Sequence, residues 1–354
     1  MTPEYLIKGR GTTLNPGNRF EKLRVEIDPE WLAQEGLPAA PTTYFVDNSN
    51  SILSKNDSPD VPFTYGLNPY RGCEHGCIYC YARPSHEYFG WSAGLDFETK
   101  ILVKPRAPAL LEQELRKPGW RPQVIALSGN TDCYQIAERR LRLTRGCLEV
   151  LLRFRNPTGI ITKNALLLRD LDLLRELARC NLVAVTISIT TLDNQLCRKM
   201  EPRTSAPEKR LTAIGRLAAA GIPVGVNFAP VIPGLNDHEM AAVLAAAAER
   251  GATSAGYIML RLPHAVKELF TNWLAVHYPE RAAKVLNALT EMRQGKLNDS
   301  CFGSRMTGAG ERAGMIARLF EVCCQKYGLN QNDSPLATTH FRRPSAQADL
   351  FEHS

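Results

Sequence analysis

The chain has 354 residues, of which 44% are hydrophobic and 22% are charged. This composition is ordinary for a globular protein and excludes a disordered, collagen-like or coiled-coil chain. The formal net charge of +7 is only mildly basic. A chain of this length buries enough apolar surface to fold without disulfide or metal cross-links, so its ten cysteines call for a chemical explanation.

The sequence predicts neither an export signal nor a membrane span. Residues 1–13 lack the apolar core and the small-residue cleavage site of a signal peptide. The longest apolar run, near residues 240–248, is far too short to span a bilayer. We therefore expect a cytoplasmic protein with no membrane partner, whose reduced thiols act as ligands, catalytic groups or core residues.

Residues 1–60 are rich in Pro, Asn, Ser and Thr, which predicts an irregular N-terminal extension with one short helix at 29–35. From about residue 63, short β-branched runs alternate with amphipathic stretches. The predicted strands are 63–68, 124–127, 159–162, 183–189, 224–228 and 255–260, with an added edge strand at 100–103. The predicted helices between them are 109–116, 136–154, 165–179, 207–220 and 237–250.

This regular alternation predicts an α/β fold with a parallel sheet and right-handed crossovers. Six strand–helix units predict a partial (β/α)6 barrel over residues 61–262, in which function sits at the C-terminal ends of the strands. Residues 263–328 are expected to form a C-terminal helical region, with one helix at 309–327. The polar residues 329–354 are expected to form a flexible tail.

The positive charge is concentrated in residues 104–170, a segment with 13 Lys and Arg but only 6 Asp and Glu. Within it, Arg139, Arg142 and Arg145 recur every third residue and Arg153 follows, so on one helix they would share a face. Two interpretations stay open. The residues form either a solvated helix face or a patch that meets nucleic-acid phosphates.

Three cysteines in eight residues form the most informative motif. Cys73, Cys77 and Cys80 follow the first predicted strand with C-x3-C-x2-C spacing, and glycines at 72 and 76 permit a tight loop. Close thiolates favour soft metals or an iron–sulfur cluster. Three ligands leave one iron of a 4Fe–4S cluster open for a substrate or cofactor. A structural zinc ion would take a fourth ligand, which His75 or His86 could supply.

This motif resembles that of the radical S-adenosylmethionine (SAM) superfamily, because Tyr79 precedes the third cysteine and the motif opens a six-fold β/α pattern. The resemblance implies a 4Fe–4S cluster on Cys73, Cys77 and Cys80, with the fourth iron chelated by SAM. It also implies a one-electron reductant, such as flavodoxin or ferredoxin. Cleavage of SAM would then yield a 5′-deoxyadenosyl radical that abstracts hydrogen from a substrate.

A turn after the second predicted strand occupies the position of the superfamily's motif for the SAM amino group. It consists of Ser128, Gly129, Asn130, Thr131 and Asp132. Thr131 and Asp132 offer a hydroxyl and a carboxylate to that amino group. The alternative is an ordinary polar turn that caps the next helix.

Later strand ends carry further candidates for binding SAM. Lys163 matches a lysine that pairs with the SAM carboxylate in spore photoproduct lyase relatives, and Ser188 matches a serine that contacts the ribose. Arg203 is expected near SAM or substrate. The alternatives are a solvated lysine, a strand whose hydroxyl residues reflect only β-propensity, and a surface ion pair.

The fifth and sixth predicted strands are expected to form the adenine side of the site. The loop 230–237, with Ile232, resembles the superfamily's adenine-side loop, and Asn227 points to the barrel interior or to SAM. Tyr257 is expected to flank the adenine or to lie in the core. Tyr79 of the cysteine motif is counted with the SAM-binding residues.

Within the superfamily, residues 10–327 resemble an uncharacterised bacterial subgroup of the spore photoproduct lyase-like (DNA repair photolyase-like) group. The resemblance rests on the runs 68–73, 100–104, 131–135 and 230–237. In true spore photoproduct lyases a hydrogen-donating cysteine precedes the amino-binding pair. Here the thiol of Cys133 follows instead, either in a catalytic role or as a small buried residue, which argues against thymine-dimer repair as such.

Three functions are therefore compared. The first is a radical SAM enzyme that acts on nucleic acid or a nucleotide. The second is a radical SAM enzyme that acts on a peptide, protein or small molecule. The third is a zinc-binding protein without enzymatic activity.

Overall fold

The computed structural model describes residues 7–20, 40–331 and 334–344. The helix expected at 29–35 lies outside these residues. In the part of the chain that the structure describes, no helix is both long and apolar enough to cross a membrane.

Ten strands are present in the described residues. They are β1 (Thr43–Val46), β2 (Leu53–Lys55), β3 (Tyr65–Leu67), β4 (Tyr70–Arg71), β5 (Lys100–Val103), β6 (Ile125–Leu127), β7 (Thr158–Thr162), β8 (Val183–Ser188), β9 (Val224–Val231) and β10 (Ser254–Met259). Seven of them form the main sheet, in the order β10-β9-β8-β7-β6-β3-β2. From β3 to β10 the neighbours pair in parallel, and β2 is antiparallel to β3 at the edge.

The six strands β3 and β6 to β10 are the predicted barrel strands, so the prediction of a partial barrel is confirmed. The sheet does not close, because β2 and β10 lie at its two ends and do not pair. Along β8, Val183, Val185 and Ile187 are buried, whereas Ala184 and Thr186 between them are half-buried. This alternation is typical of a sheet with helices packed on one face and an accessible concave interior.

The helices follow the predicted pattern with shifted ends. They are α1 (Leu95–Thr99), α2 (Ala107–Arg116), α3 (Glu138–Leu141), α4 (Leu143–Phe154), α5 (Leu171–Arg179), α6 (Asn194–Met200), α7 (Pro207–Ala219), α8 (Met240–Glu249), α9 (Val266–His277), α10 (Pro279–Met292), α11 (Ser304–Thr307) and α12 (Gly310–Tyr327). Short 3-10 segments precede α5 and α8. The predicted helices 165–179 and 237–250 therefore begin with a tighter turn.

The predicted helix 136–154 is broken in the structure. Arg142 adopts a left-handed conformation, with φ of 51°, between α3 and α4. Arg145 then forms ion pairs with Asp170 and Asp172, and Arg153 pairs with Glu112. The expected single face of arginines is therefore wrong, because the chain changes direction at its centre and two of the four charges are neutralised.

The N-terminal extension is more regular than expected. β1 pairs in parallel with β5, β4 pairs antiparallel with β5, and these three strands form a second sheet. The predicted edge strand at 100–103 is thus the central strand of a separate sheet. Because its partners β1 and β4 come from residues 43–46 and 70–71, the second sheet ties the extension to the segment that carries the cysteine motif.

Within the expected flexible tail, the described residues 334–344 pack against the helical layer. Phe341 stacks near Phe154, with ring centroids 6.4 Å apart, and the amide of Arg342 donates to the Phe154 carbonyl. The Arg343 guanidinium donates to the carbonyl of Trp120. These contacts attach residues 334–344 to the outer face of the barrel.

Candidate active site

The cysteine motif forms a tight loop directly after β4, which we call the cluster loop (residues 72–82). Its first cysteine is held by α1, because the amide of Cys73 donates to the Phe97 carbonyl at 2.9 Å. Its middle is held by the barrel, because the amide of Ile78 donates to the Met200 carbonyl at 3.0 Å. The loop is therefore fixed from both sides at the C-terminal ends of the barrel strands.

Two glycines make this loop possible. Gly72 and Gly76 have φ of 78° and 66°, a region that residues with a Cβ adopt at a cost. A Cβ on Gly76 would lie 2.6 Å from a carboxylate oxygen of Glu98. That carboxylate is buried and binds the Arg83 guanidinium at 2.6 Å, so it has little freedom to withdraw.

The three thiols of the cluster loop are free and largely removed from solvent, as ligands of a metal centre would be. Burial and the neighbouring Cys73 raise the pKa of Cys80 to about 11, and burial together with Glu201 raises the pKa of Cys77. Among the described residues, no three Cys, His, Asp or Glu side chains converge closely enough to hold one ion. A 4Fe–4S cluster binds each thiolate to a different iron, and three thiols in one loop can supply three such ligands.

His75 links the cluster loop to the turn after β6. Its Nδ1 lies 3.4 Å from the Asp132 carboxylate, and its Nε2 lies 3.1 Å from the Asn164 side-chain amide. Burial lowers the pKa of His75, but the nearby Asp132 and Cys73 have a larger, opposite effect. The pKa of His75 is therefore raised to about 10. The contact between His75 and Asp132 thus joins the cluster loop to the turn after β6 in the protein interior.

The Asp132 carboxylate already has several partners within the protein, although it was expected to bind the SAM amino group. Besides His75, its carboxylate accepts hydrogen bonds from the Thr162 hydroxyl at 2.7 Å and from the amides of Lys163 at 2.9 Å and Tyr134 at 2.9 Å. A carboxylate with four partners has little capacity left for an ammonium group. The structure therefore places Asp132 as a residue that holds the cluster loop against β7.

The rest of this turn also supports the cluster loop. The Thr131 hydroxyl is buried and donates to the Tyr70 carbonyl at 2.7 Å, and the Gly129 carbonyl accepts from the Tyr81 hydroxyl at 2.6 Å. The amide of Asn130 donates to the Asn68 side chain. Each of these bonds joins the turn after β6 to the chain around the cysteine motif.

Ser128 and Cys133 form a hydrogen bond within the same turn. Ser128 has φ of 71°, and its hydroxyl accepts from the Cys133 amide at 2.7 Å. The side chain of Cys133 is fully buried in the main hydrophobic core, and burial raises the pKa of its thiol well above the usual value. This placement matches the alternative of a small core residue, so we leave Cys133 out of the proposed catalytic groups.

Lys163, at the end of β7, reaches into the barrel interior. Its ammonium group donates to the Ala229 carbonyl at 3.2 Å and lies 5.7 Å from the centre of the Tyr79 ring. Burial lowers its pKa to about 8. A largely buried ammonium group next to an aromatic ring is suited to binding a carboxylate.

Glu201 is the residue that sequence reasoning missed. Its buried carboxylate accepts hydrogen bonds from Tyr79, Arg210 and the Thr190 hydroxyl, and it lies 3.4 Å from Lys163 Nζ. The run Glu201-Pro202-Arg203 drew attention in the sequence only for its arginine. Two buried cations, Lys163 and Arg210, explain why a carboxylate is needed there.

Gln135 is a second missed residue. Its side-chain oxygen accepts from the Glu74 amide at 3.0 Å, and its side-chain nitrogen donates to the Gly72 carbonyl at 3.2 Å. Both partners belong to the cluster loop or its edge. The only sequence signal was its position in the turn at 131–135.

Ser188 and Asn227 meet on the concave side of the sheet. They are register partners on β8 and β9, and Gly256 of β10 pairs with Asn227. Ile232, just after the end of β9, belongs to the hydrophobic cluster that contains Cys77 and Tyr79. The structure therefore brings together Tyr79, Lys163, Ser188, Asn227 and Ile232 around one interior.

Two predicted contacts lie elsewhere. Tyr257 pairs with Phe228, one residue away from the Asn227 face, and its ring packs 4.8 Å from that of Phe320 on α12. It therefore faces the helices. Arg203 points to the outside of the cluster loop, where its guanidinium lies 3.9 Å from Glu74.

A family model described as the radical SAM superfamily matches residues 67–247, just over half of the chain. The chain belongs to the radical SAM superfamily. Members of this superfamily are enzymes that use a 4Fe–4S cluster and SAM, and these are therefore the cofactors of the chain. The match spans every residue from the cluster loop to the adenine-side loop.

Two of the relatives that this chain resembles in sequence are described as uncharacterised proteins. An uncharacterised protein of Mycobacterium tuberculosis is 41% identical over 226 residues, which cover 63% of this chain and 66% of that protein, just under two thirds of its length. An uncharacterised protein of Methanocaldococcus jannaschii is 30% identical over 175 residues, covering 49% of this chain and 63% of that protein.

The fold is similar to that of a spore photoproduct lyase complexed with dinucleoside spore photoproduct. The TM-score is 0.59 at 18% identity, and the alignment covers 81% of this chain and 80% of that chain. This likeness covers a larger share of the chain than the family match does.

Proposed function

We propose that this chain holds a 4Fe–4S cluster on Cys73, Cys77 and Cys80 and catalyses radical chemistry through reductive cleavage of SAM. The observation that supports this most strongly is the cluster loop itself, which holds Cys73, Cys77 and Cys80 without disulfides and is shaped by two glycines with positive φ. When bound, the cluster and SAM supply an electron and a 5′-deoxyadenosyl radical. The protein supplies binding, orientation and exclusion of water.

We assign the SAM-binding roles to the residues around the barrel interior. Lys163 pairs with the SAM carboxylate, since its ammonium group reaches the barrel interior and its contacts with Ala229, Glu201 and Thr190 are all long, at 3.2, 3.4 and 3.5 Å. Tyr79 and Ile232, which share one hydrophobic cluster, flank the adenine. Ser188 and Asn227 offer polar groups to the ribose.

Cluster loading tests the first part of this proposal. Wild-type protein reconstituted anaerobically with iron and sulfide should gain the visible absorption of a 4Fe–4S cluster. A variant with Cys73, Cys77 and Cys80 replaced by Ala should not. A variant with the buried Cys147 replaced by Ala is the matched control and should load normally. Equal loading of the triple variant and the wild type would contradict the assignment.

For the substrate we propose nucleic acid or a nucleotide. The support is the similarity in fold to a spore photoproduct lyase complexed with dinucleoside spore photoproduct, at 18% identity. The test is a titration of single-stranded DNA and RNA against the reconstituted protein at several salt concentrations. Binding should weaken steeply with salt, because it releases counterions from phosphates. No binding at low salt would rule this substrate class out and leave a peptide or small molecule.

A further inference from the structure

A cavity of about 290 Å³ opens on the outer side of the cluster loop. One wall is formed by the end of β7, by α6, by the segment between α6 and α7 and by the start of α7, and Arg139 of α3 lines the opposite wall. The basic residues that line it are Arg139, Arg198, Arg203 and Lys209. We refer to these four side chains as the cationic rim.

The cationic rim is poorly neutralised. Arg139, Arg198 and Lys209 are exposed, and among the described residues only Arg203 of the four lies within 4 Å of a carboxylate, that of Glu74. The single carboxylate that lines the cavity, Glu201, is buried and bound to Arg210. The cavity therefore presents a net positive surface.

Only one layer of backbone separates this surface from the cluster loop. The amide of Arg203 donates to the His75 carbonyl at 3.3 Å, and the Met200 carbonyl accepts from Ile78. Asn164, which lines the cavity, contacts the His75 ring. The segment between α6 and α7 thus lines the cavity with one side and contacts the cluster loop with the other.

The same segment closes the cavity off from the barrel interior. One oxygen of Glu201 faces Lys163 and Thr190, whereas the other faces Arg210 and Thr204. A molecule in the cavity cannot contact a substrate beside SAM without displacing this buried carboxylate. An electron needs no such contact, because it can tunnel through one layer of backbone.

We propose that the cationic rim is the docking site for a small one-electron carrier protein with an acidic surface around its cofactor. This inference rests on the proposed function, which needs one electron per SAM cleaved. The carrier is oxidised by one electron and the cluster is reduced by one, so no bond forms and no proton moves. Complementary charge at the contact speeds association and makes it sensitive to salt.

The experiment compares two reductants on the same holoenzyme. The reconstituted wild type and the variant R198E/K209E are assayed for 5′-deoxyadenosine formation with reduced flavodoxin, an acidic carrier, and with dithionite. We expect the variant to need about tenfold or more flavodoxin for half-maximal rate, with an unchanged dithionite rate. R139E, on the opposite wall, should show the same selective effect.

The matched control is K267E/R281E, which makes the same charge change at exposed residues of α9 and α10. It should keep wild-type kinetics with both reductants. The proposal would be overturned if K267E/R281E raised the flavodoxin requirement as much as R198E/K209E does. It would also be overturned if R198E/K209E and R139E kept the wild-type flavodoxin dependence, or if they lost as much rate with dithionite as with flavodoxin.

Nucleic acid is the competing occupant of the cationic rim. If R198E/K209E loses binding of single-stranded DNA while its flavodoxin kinetics stay unchanged, the surface serves the substrate and the proposal is wrong. A wild type that forms no 5′-deoxyadenosine with dithionite would instead overturn the proposed function, and the docking site with it. The two failures are therefore distinguishable.

Discussion

The carboxylate of Glu201 lies 3.4 Å from the ammonium group of Lys163, and both are largely buried. The same carboxylate binds the buried guanidinium of Arg210 from the opposite side. One anion thus compensates two cations and separates the barrel interior from the cavity behind the cluster loop. This shared carboxylate fixes the position from which Lys163 reaches the interior.

Replacing Glu201 by Gln should be strongly destabilising. It removes the charge that compensates Lys163 and Arg210, and an uncompensated buried charge costs about 3–5 kcal/mol. Anaerobic urea unfolding measures the effect. The control is Glu208→Gln, which breaks an exposed pair with Arg250 and should cost about 0.5 kcal/mol or less. Equal losses in the two variants would contradict this role.

Replacing Lys163 by Ala should weaken SAM binding without unfolding the protein. Losing a hydrogen bond to a charged group costs about 1.5–3 kcal/mol, which is roughly a ten- to hundredfold rise in Kd. Equilibrium dialysis with the reconstituted protein measures it. Lys209→Ala, on the far side of Glu201, should bind SAM like the wild type. An unchanged Kd in Lys163→Ala would remove this residue from the site.

Replacing Gly76 by Ala should reduce cluster loading. The position combines a positive φ with a Cβ contact of 2.6 Å to Glu98, so the loop has to shift. Gly221→Ala is the matched control, because its φ is 72° and no atom lies within 4 Å of the added Cβ. Gly221→Ala should lose about 1 kcal/mol of stability but bind the full amount of iron. Equal iron content in both variants would show that the contact with Glu98 is unimportant.

Protonation of His86 should make the protein less stable in mild acid. Its Nε2 is 2.8 Å from the Lys100 carbonyl, and its Nδ1 has no partner among the described residues. Burial lowers its pKa to about 4, so the unfolded chain binds more protons between pH 6.5 and 4. Stability is therefore lost as the pH falls through this window, by about 3 kcal/mol in total.

Urea unfolding at several pH values between 7 and 4 tests this dependence. His86→Gln keeps a donor for the Lys100 carbonyl and removes the titrating group, so its stability should fall less steeply. Identical profiles for the variant and the wild type would show that His86 does not cause the loss.

The sequence predicted the parts of the site that are local in the chain. Cys73, Cys77 and Cys80 were recognisable because their spacing in one loop defines the motif, and the six barrel strands were recognisable because β-branched runs alternate regularly with helices. The predicted ends of these strands differ from the observed ends by a few residues, because hydrogen bonds rather than composition determine where a strand stops.

The parts that depend on distant partners could not be predicted. Asp132 was expected to be free for SAM, because nothing in the sequence shows that His75, Thr162 and the Lys163 amide all reach its carboxylate. Glu201 was overlooked for the same reason. The helix break at Arg142 carries no glycine or proline signal, and the pairing of β1 with β5 joins segments far apart in the chain.

The measurement that tests the central claim most directly is anaerobic formation of 5′-deoxyadenosine from SAM by the reconstituted protein with dithionite. The proposed function predicts that the wild type forms it, that Lys163→Ala forms it with a raised requirement for SAM, and that the variant lacking Cys73, Cys77 and Cys80 forms none. A wild type that binds a full cluster and SAM but yields no 5′-deoxyadenosine would contradict it.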